Sequence, residues 1–272
     1  MKVKLLLVVS IIVVAATEDV DDVLQLIDKA GYKGEVHEVQ TEDGYFLRMH
    51  RVLPMTENRK NFPTFLQHGL FATSADFILT GPKIALAYLL ADEGYDVWMG
   101  NVRGNKHSKF HRKYPPNSKQ FWDFSWHEMG FFDLPAMIDF VLKETKAPKV
   151  AYVGHSQGSA MFLVMLSTRP EYNEKIVQAH LLSPASFLAN SPHPLARVFG
   201  NQINKGLLNG YTYLEFGRIW DLGLEFSKVF CNERQKNTLA LCEGIIFGIV
   251  GSNRDGVEIS PVNNFFLKLT YF

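Results

Sequence analysis

The chain has 272 residues, of which 28 are basic and 28 acidic, so its formal net charge is zero. With no basic tract to neutralise phosphates, nucleic-acid binding has no electrostatic support. A hydrophobic content of 47% is ample for one α/β domain with its own core, at the roughly 255 residues left after a leader.

The first segment reads as a leader. Lys2 and Lys4 make a short basic region, Leu5 to Val14 is almost wholly apolar, and Val14-Ala15-Ala16-Thr17 offers small residues for cleavage. Residues 1–17 are therefore expected to be a signal peptide, with a mature chain beginning near Glu18. The alternative, an uncleaved anchor, has too short an apolar run to span a bilayer comfortably. In the oxidising compartment this implies, Cys231 and Cys242, the only cysteines, are expected to pair.

Val36–Gln40 and Tyr45–Val52 read as strands around Glu42-Asp43-Gly44, a hairpin turn of Asp-Gly type. Thr64–Gln67 is a short apolar strand ending at His68-Gly69-Leu70. Pro82–Glu93 reads as a helix and Tyr95–Met99 as the next strand. Ser125-Trp126-His127-Glu128 has the form of a capping box opening a helix, which Pro135 restarts or kinks because it has no N–H to donate. Strand Lys149–Val153, a helix from Ser159 to Leu166 and strand Ile176–Leu182 follow. Strands alternating with helices predict a parallel sheet. Trp98, Trp122, Trp126 and Phe131 are expected in the core. From about Phe187 aromatic and aliphatic residues crowd the chain without strand alternation. This stretch is either a second packed layer or a helical cap whose apolar face meets a greasy substrate.

The most informative five residues are Gly154-His155-Ser156-Gln157-Gly158. They match Gly-x-Ser-x-Gly with a strand before and a helix after, the context a nucleophile elbow requires. Such a turn projects the Ser156 hydroxyl into a cleft, and the glycines let strand and helix approach without a Cβ clash. Gln157 N–H then lies at a helix N-terminus, where it can stabilise an oxyanion.

Leu66-Gln67-His68-Gly69-Leu70, Gly94 to Asn105, Asp133-Leu134-Pro135-Ala136 and the elbow together resemble the signature segments of the gastric and lysosomal acid lipases and their insect relatives. The resemblance runs from about Asp21 to about Gly251. It implies an α/β-hydrolase fold with a mainly helical cap, acting on carboxylic esters of neutral lipids at a lipid–water interface, without a cofactor. It assigns Ser156 as nucleophile and the N–H groups of Leu70 and Gln157 as the oxyanion hole. The expected division is a leader over 1–17, a hydrolase core over 18–186, a cap over 187–251 clipped by Cys231–Cys242, and a divergent tail over 252–272. Secretion or lysosomal delivery follows from the leader, whereas nothing in the pattern sets an oligomeric state.

Hydrolases of this fold order their triad Ser…Asp/Glu…His. After Ser156 this sequence offers only His180, inside an apolar strand and expected to be packed or satisfied there, and His193, at the cap entrance. The last strands, the acid and the base are thus expected to be missing, and turnover by this polypeptide to be low. His68 and His155 read as orienting or packing residues. His107, His111 and His127 lack metal-ligand spacing, so no metal site is expected.

Overall fold

The computed structural model describes residues 21–70 and 72–186. The leader, Cys231 and Cys242, the cap, His193 and the divergent tail lie outside the described residues. Helix α1 (Asp22–Lys29) is the first element among the described residues, with the Asp21 carboxylate accepting the N–H groups of Val23 and Leu24 as its cap. The hairpin β1 (Gly34–Gln40) and β2 (Tyr45–Val52) follows. It turns where Gly44 adopts a φ of 109°, a conformation that a side chain would disfavour.

Then come β3 (Thr64–Gln67), α2 (Leu86–Asp92), β4 (Val97–Gly100), the two-residue β5 (Phe110–His111), α3 (Trp126–Glu128), α4 (Leu134–Thr145), β6 (Val150–His155), α5 (Gln157–Thr168) and β7 (Ile176–Leu182). The sheet runs β1-β2-β4-β3-β6-β7, with β5 against β2. Strands β4, β3, β6 and β7 are mutually parallel, and the hairpin joins them antiparallel through β2. This is the expected α/β-hydrolase sheet.

Both faces of the sheet are covered, as parallel sheets require. Alternate residues serve opposite cores. Phe65, Trp98 and Tyr152 pack with Met137 of α4 and Met161 of α5 on one face. Leu66, Met99 and Val153 pack with Val23 and Ile27 of α1 and Tyr88 of α2 on the other.

Several expectations need correction. The helix predicted from Pro82 starts only at Leu86, because Gly81 and Lys83 take φ values of 83° and 73° that no right-handed helix admits. The strand predicted from Tyr95 starts at Val97, since Tyr95 N–H is spent on Leu90 O at the end of α2. Trp98 is fully buried, but Trp126 is 44% exposed at the start of α3. His180, expected to be packed or satisfied within its strand, is exposed on β7, so it is not packed there.

The capping box forms: Ser125 Oγ accepts His127 N–H, and Glu128 Oε2 accepts Ser125 N–H at 2.7 Å. The helix it opens passes into a π-helical turn, Met129–Asp133, before α4. Pro135 cannot donate to Phe131 O, four residues back; the Arg169 guanidinium donates to that carbonyl instead, at 3.3 Å. Among the described residues no helix is long and apolar enough to cross a membrane.

Candidate active site

Strands β3 and β6 are parallel neighbours, with Gln67 opposite Gly154. The chain leaves both at the same edge, and β4 and β6 flank β3 on opposite sides. That makes this edge the switch point where open α/β sheets bind ligands. The loop His68-Gly69-Leu70 and the turn His155-Ser156 therefore meet.

Ser156 links β6 to α5 with φ 53° and ψ −114°, a strained combination for a residue with a Cβ. Hydrogen bonds hold it there: its N–H reaches Leu182 O at 2.9 Å, and its carbonyl accepts Ser159 N–H at 3.0 Å and Ala185 N–H at 3.3 Å. A Cβ on Gly158 would stand 2.5 Å from Gln67 O, and one on Gly154 would stand 2.9 Å from Gly158 C. Glycine at both places is what lets α5 start directly against β3. Ser159 Oγ donates to Gly154 O and Tyr152 Oη to Gly158 O, both at 2.8 Å, which fastens the turn from below.

Across the gap, a Cβ on Gly69 would lie 3.1 Å from Ser156 Cβ and 3.3 Å from His155 Nδ1. The Gly69–Leu70 peptide thus runs alongside the serine. Gln157 opens α5, so its N–H is one of the four that a helix leaves without an intrahelical partner. His155 is exposed and Leu70 is 50% exposed. No hydrogen bond joins Ser156 Oγ to another described residue.

The sequence matches a profile described as "alpha/beta hydrolase fold" over residues 65–223, and one described as "Partial alpha/beta-hydrolase lipase region" over residues 23–81. It is 47% identical to Lipase 1 of Drosophila melanogaster, over 84% of this chain and 49% of that one. It is 50% identical to Lipase 3 of the same organism, over 73% and 51%. It is 37% identical to gastric triacylglycerol lipase of Bos taurus, over 89% and 61%. The chain belongs to the α/β-hydrolase family, and these relatives are lipases. It spans about half the length of the first two of these relatives.

Two buried polar groups in this α/β-hydrolase chain were not legible in the sequence. Arg103 is almost fully buried and makes ion pairs of 2.6 Å to both Asp133 and Asp43, with its guanidinium 4.1 Å from the Tyr45 ring. It ties the loop after β4 to the π-helical turn and to the hairpin.

The second group surrounds His50. Its Nε2 lies 3.0 Å from both Asp21 carboxylate oxygens, and its Nδ1 is 2.7 Å from Ser74 Oγ. These are the distances of a Ser-His-Asp relay, but His50 and Ser74 are fully buried and cannot meet a substrate. Burial raises the Asp21 carboxyl, yet the hydrogen bonds from His50 and from Leu24 N–H outweigh it and hold the group well below the usual carboxylate range.

Asp21, His50 and His107 also bring one donor atom each within 4.8 Å of one another, a convergence that no sequence spacing announces. Two of the three residues are already committed. Asp21 caps α1 and pairs with Arg48 at 3.2 Å, and both His50 nitrogens are hydrogen-bonded. Asp21 and His50 thus form a hydrogen-bonded network with Ser74.

Proposed function

We propose that this chain is a lipase-type hydrolase that cleaves carboxylic ester bonds of neutral lipids with Ser156 as nucleophile. The observation that carries the reading is the strained Ser156 turn beside the Gly69–Leu70 peptide, in a sequence 47% identical to a lipase. A base takes the Ser156 proton as Oγ attacks the ester carbonyl. The N–H groups of Leu70 and Gln157 stabilise the resulting oxyanion. Collapse expels the alcohol, which receives the proton, and water then releases the acid from the acyl-enzyme. The substrate is an ester presented at a lipid–water interface, with residues 187–251 as the cap over the site and Cys231–Cys242 as its clip. The domain division remains as read from the sequence: core over 18–186 and tail over 252–272. The leader over 1–17 directs the chain to secretion or the lysosome.

A second reading is a lipid-binding protein without turnover. An unassisted serine hydroxyl is a weak nucleophile, and loss of a triad partner leaves only residual activity. The purified chain and Ser156→Ala, assayed on a short-chain aryl ester and a triglyceride emulsion, separate the two. Hydrolysis lost in Ser156→Ala supports the enzyme. Equal, negligible rates with retained vesicle binding support the second reading.

A further inference from the structure

The loop after β4 carries two asparagines, Asn101 and Asn105, to which the function above gives no role. Asn101 is fully buried, and main-chain partners dictate which way its amide points. Its Oδ1 accepts Ser74 N–H at 2.9 Å, and its Nδ2 donates to Arg48 O at 3.0 Å. Since Asn101 Oδ1 is an acceptor, the Asn105 group facing it at 2.9 Å is the Nδ2 donor. The opposite end agrees, because Asn105 Oδ1 accepts His107 N–H at 2.9 Å.

The same Asn105 Nδ2 lies 3.2 Å from His68 Nε2, which also faces Val102 N–H at 3.4 Å. A ring nitrogen facing two donors is the unprotonated one. His68 therefore carries its proton on Nδ1, and Nδ1–H donates to Gly69 O at 2.8 Å. That carbonyl belongs to the same planar peptide as Leu70 N–H, and in a trans peptide the two point in opposite directions. Fixing Gly69 O fixes the direction of Leu70 N–H. On the other side of the hub, Asn101 Nδ2 donates to Ser74 Oγ at 3.1 Å, leaving the Ser74 hydroxyl proton for His50 Nδ1 and the His50 proton for Asp21.

We propose that Asn101 and Asn105 are positioning residues that impose the Nδ1–H tautomer on His68 and through it aim the Leu70 N–H at the oxyanion. The proposal rests on the Ser156 reading above for its catalytic consequence, but the tautomer and the loop geometry stand apart from it. Burial suits the device. His68 is fully enclosed and its imidazolium is disfavoured down to about pH 4, first by burial and then by His155, against the Gly69 hydrogen bond that favours protonation. The ring stays neutral and single-tautomer across the pH range in which a general base operates.

The test uses the full chain labelled with 15N-histidine, together with Ser156→Ala, Asn105→Asp and Asn105→Ser. Long-range proton–nitrogen correlation spectra of the unaltered chain are expected to show His68 protonated on Nδ1 and bare on Nε2. A proton on Nε2 overturns the proposal without any substitution. Asn105→Asp keeps the acceptor for His107 N–H but puts a carboxylate against Nε2. His68 is then expected to protonate about one pH unit higher or more, with the Gly69 and Leu70 amide resonances moving. Asn105→Ser, which introduces no charge, is expected to move the same two amides. Unmoved amides in both folded variants overturn the proposal.

If the unaltered chain shows Ser156-dependent ester hydrolysis, both Asn105 variants are expected to lower kcat on the order of tenfold with KM little changed, less than the loss of an oxyanion donor itself. An unchanged kcat there overturns the positioning role. If Ser156→Ala changes neither the His68 tautomer nor a negligible rate, the enzyme reading fails while the spectra still decide the network.

Discussion

Ser156 combines two demands that conflict. A side chain in the positive-φ region costs about 1–3 kcal/mol, and here it persists because β6, α5 and Leu182 O fix the backbone on both sides. Glycine would relax it, although a freer unfolded chain offsets part of the gain. Ser156→Gly is therefore expected to be more stable to urea than Ser156→Ala by about 1 kcal/mol, with neither variant supporting Ser156-dependent hydrolysis. Equal midpoints for the two would mean that the turn stores no strain at this residue. The neighbouring glycines show a different constraint. At Gly158 the obstacle is the Gln67 and His68 carbonyls, and main chain cannot swing aside as a side chain can. The pattern Gly-x-Ser-x-Gly was legible as a turn from residue types alone. The carbonyls that make it obligatory belong to a strand about 90 residues earlier in the chain.

At the scale of elements, the loop after β4 is held from both ends. Arg103 reaches to the hairpin turn and the π-helical turn, while Asn101 and Asn105, two residues to either side, reach toward β2 and β3. Asp133 is fully buried, so its carboxylate depends on Arg103 for compensation. Removing one member of a buried pair strands the other, at a typical cost of about 3–5 kcal/mol. Arg103→Met is expected to destabilise the chain by about that amount in urea unfolding, and Arg103→Met with Asp133→Leu to recover most of it. A single variant within about 1 kcal/mol of the parent would show that Asp133 does not rely on the pair. The capping box at Ser125 could be read from sequence because all its partners lie within one turn. The Arg103 network could not, since its carboxylates are 60 and 30 residues away.

Across the whole molecule, buried histidines set the acid response. His68 is pushed down to about 4 by burial, against about 6.5 in an unfolded chain. Between those values the unfolded state binds the extra proton, so stability rises with pH and falls as pH drops through the window. The loss from His68 alone approaches about 3 kcal/mol by pH 4, at about 1.4 kcal/mol per unit. His107, pushed down to about 4 by burial and then by His50, acts with the same sign. Unfolding free energies from urea titrations at pH 7, 5.5 and 4 are expected to decline steadily. The Asp76 carboxyl, raised to about 6 by burial, acts with the opposite sign. One carboxyl does not offset two histidines, so a flat profile over that range would contradict buried, neutral histidines.

Sequence alone determined most of the order of strands and helices, though not α1 or β5, and the position of the Gly-x-Ser-x-Gly turn. Those features depend on periodicity, glycine and capping, whose partners sit within a few residues, and Tyr45–Val52, Thr64–Gln67 and Ile176–Leu182 kept their predicted bounds. Helix starts were less legible where backbone conformation overrode propensity, as at Gly81 and Lys83. Only the tertiary structure decided what stands beside Ser156 and what orients His68. Pairing β3 with β6 brings residues 69 and 156 together, and burial turns Asn101, Asn105 and His68 into donors and acceptors with one consistent assignment. An asparagine in a loop looks like any other in sequence. Its role comes from the carbonyls and N–H groups that enclose it once water has gone.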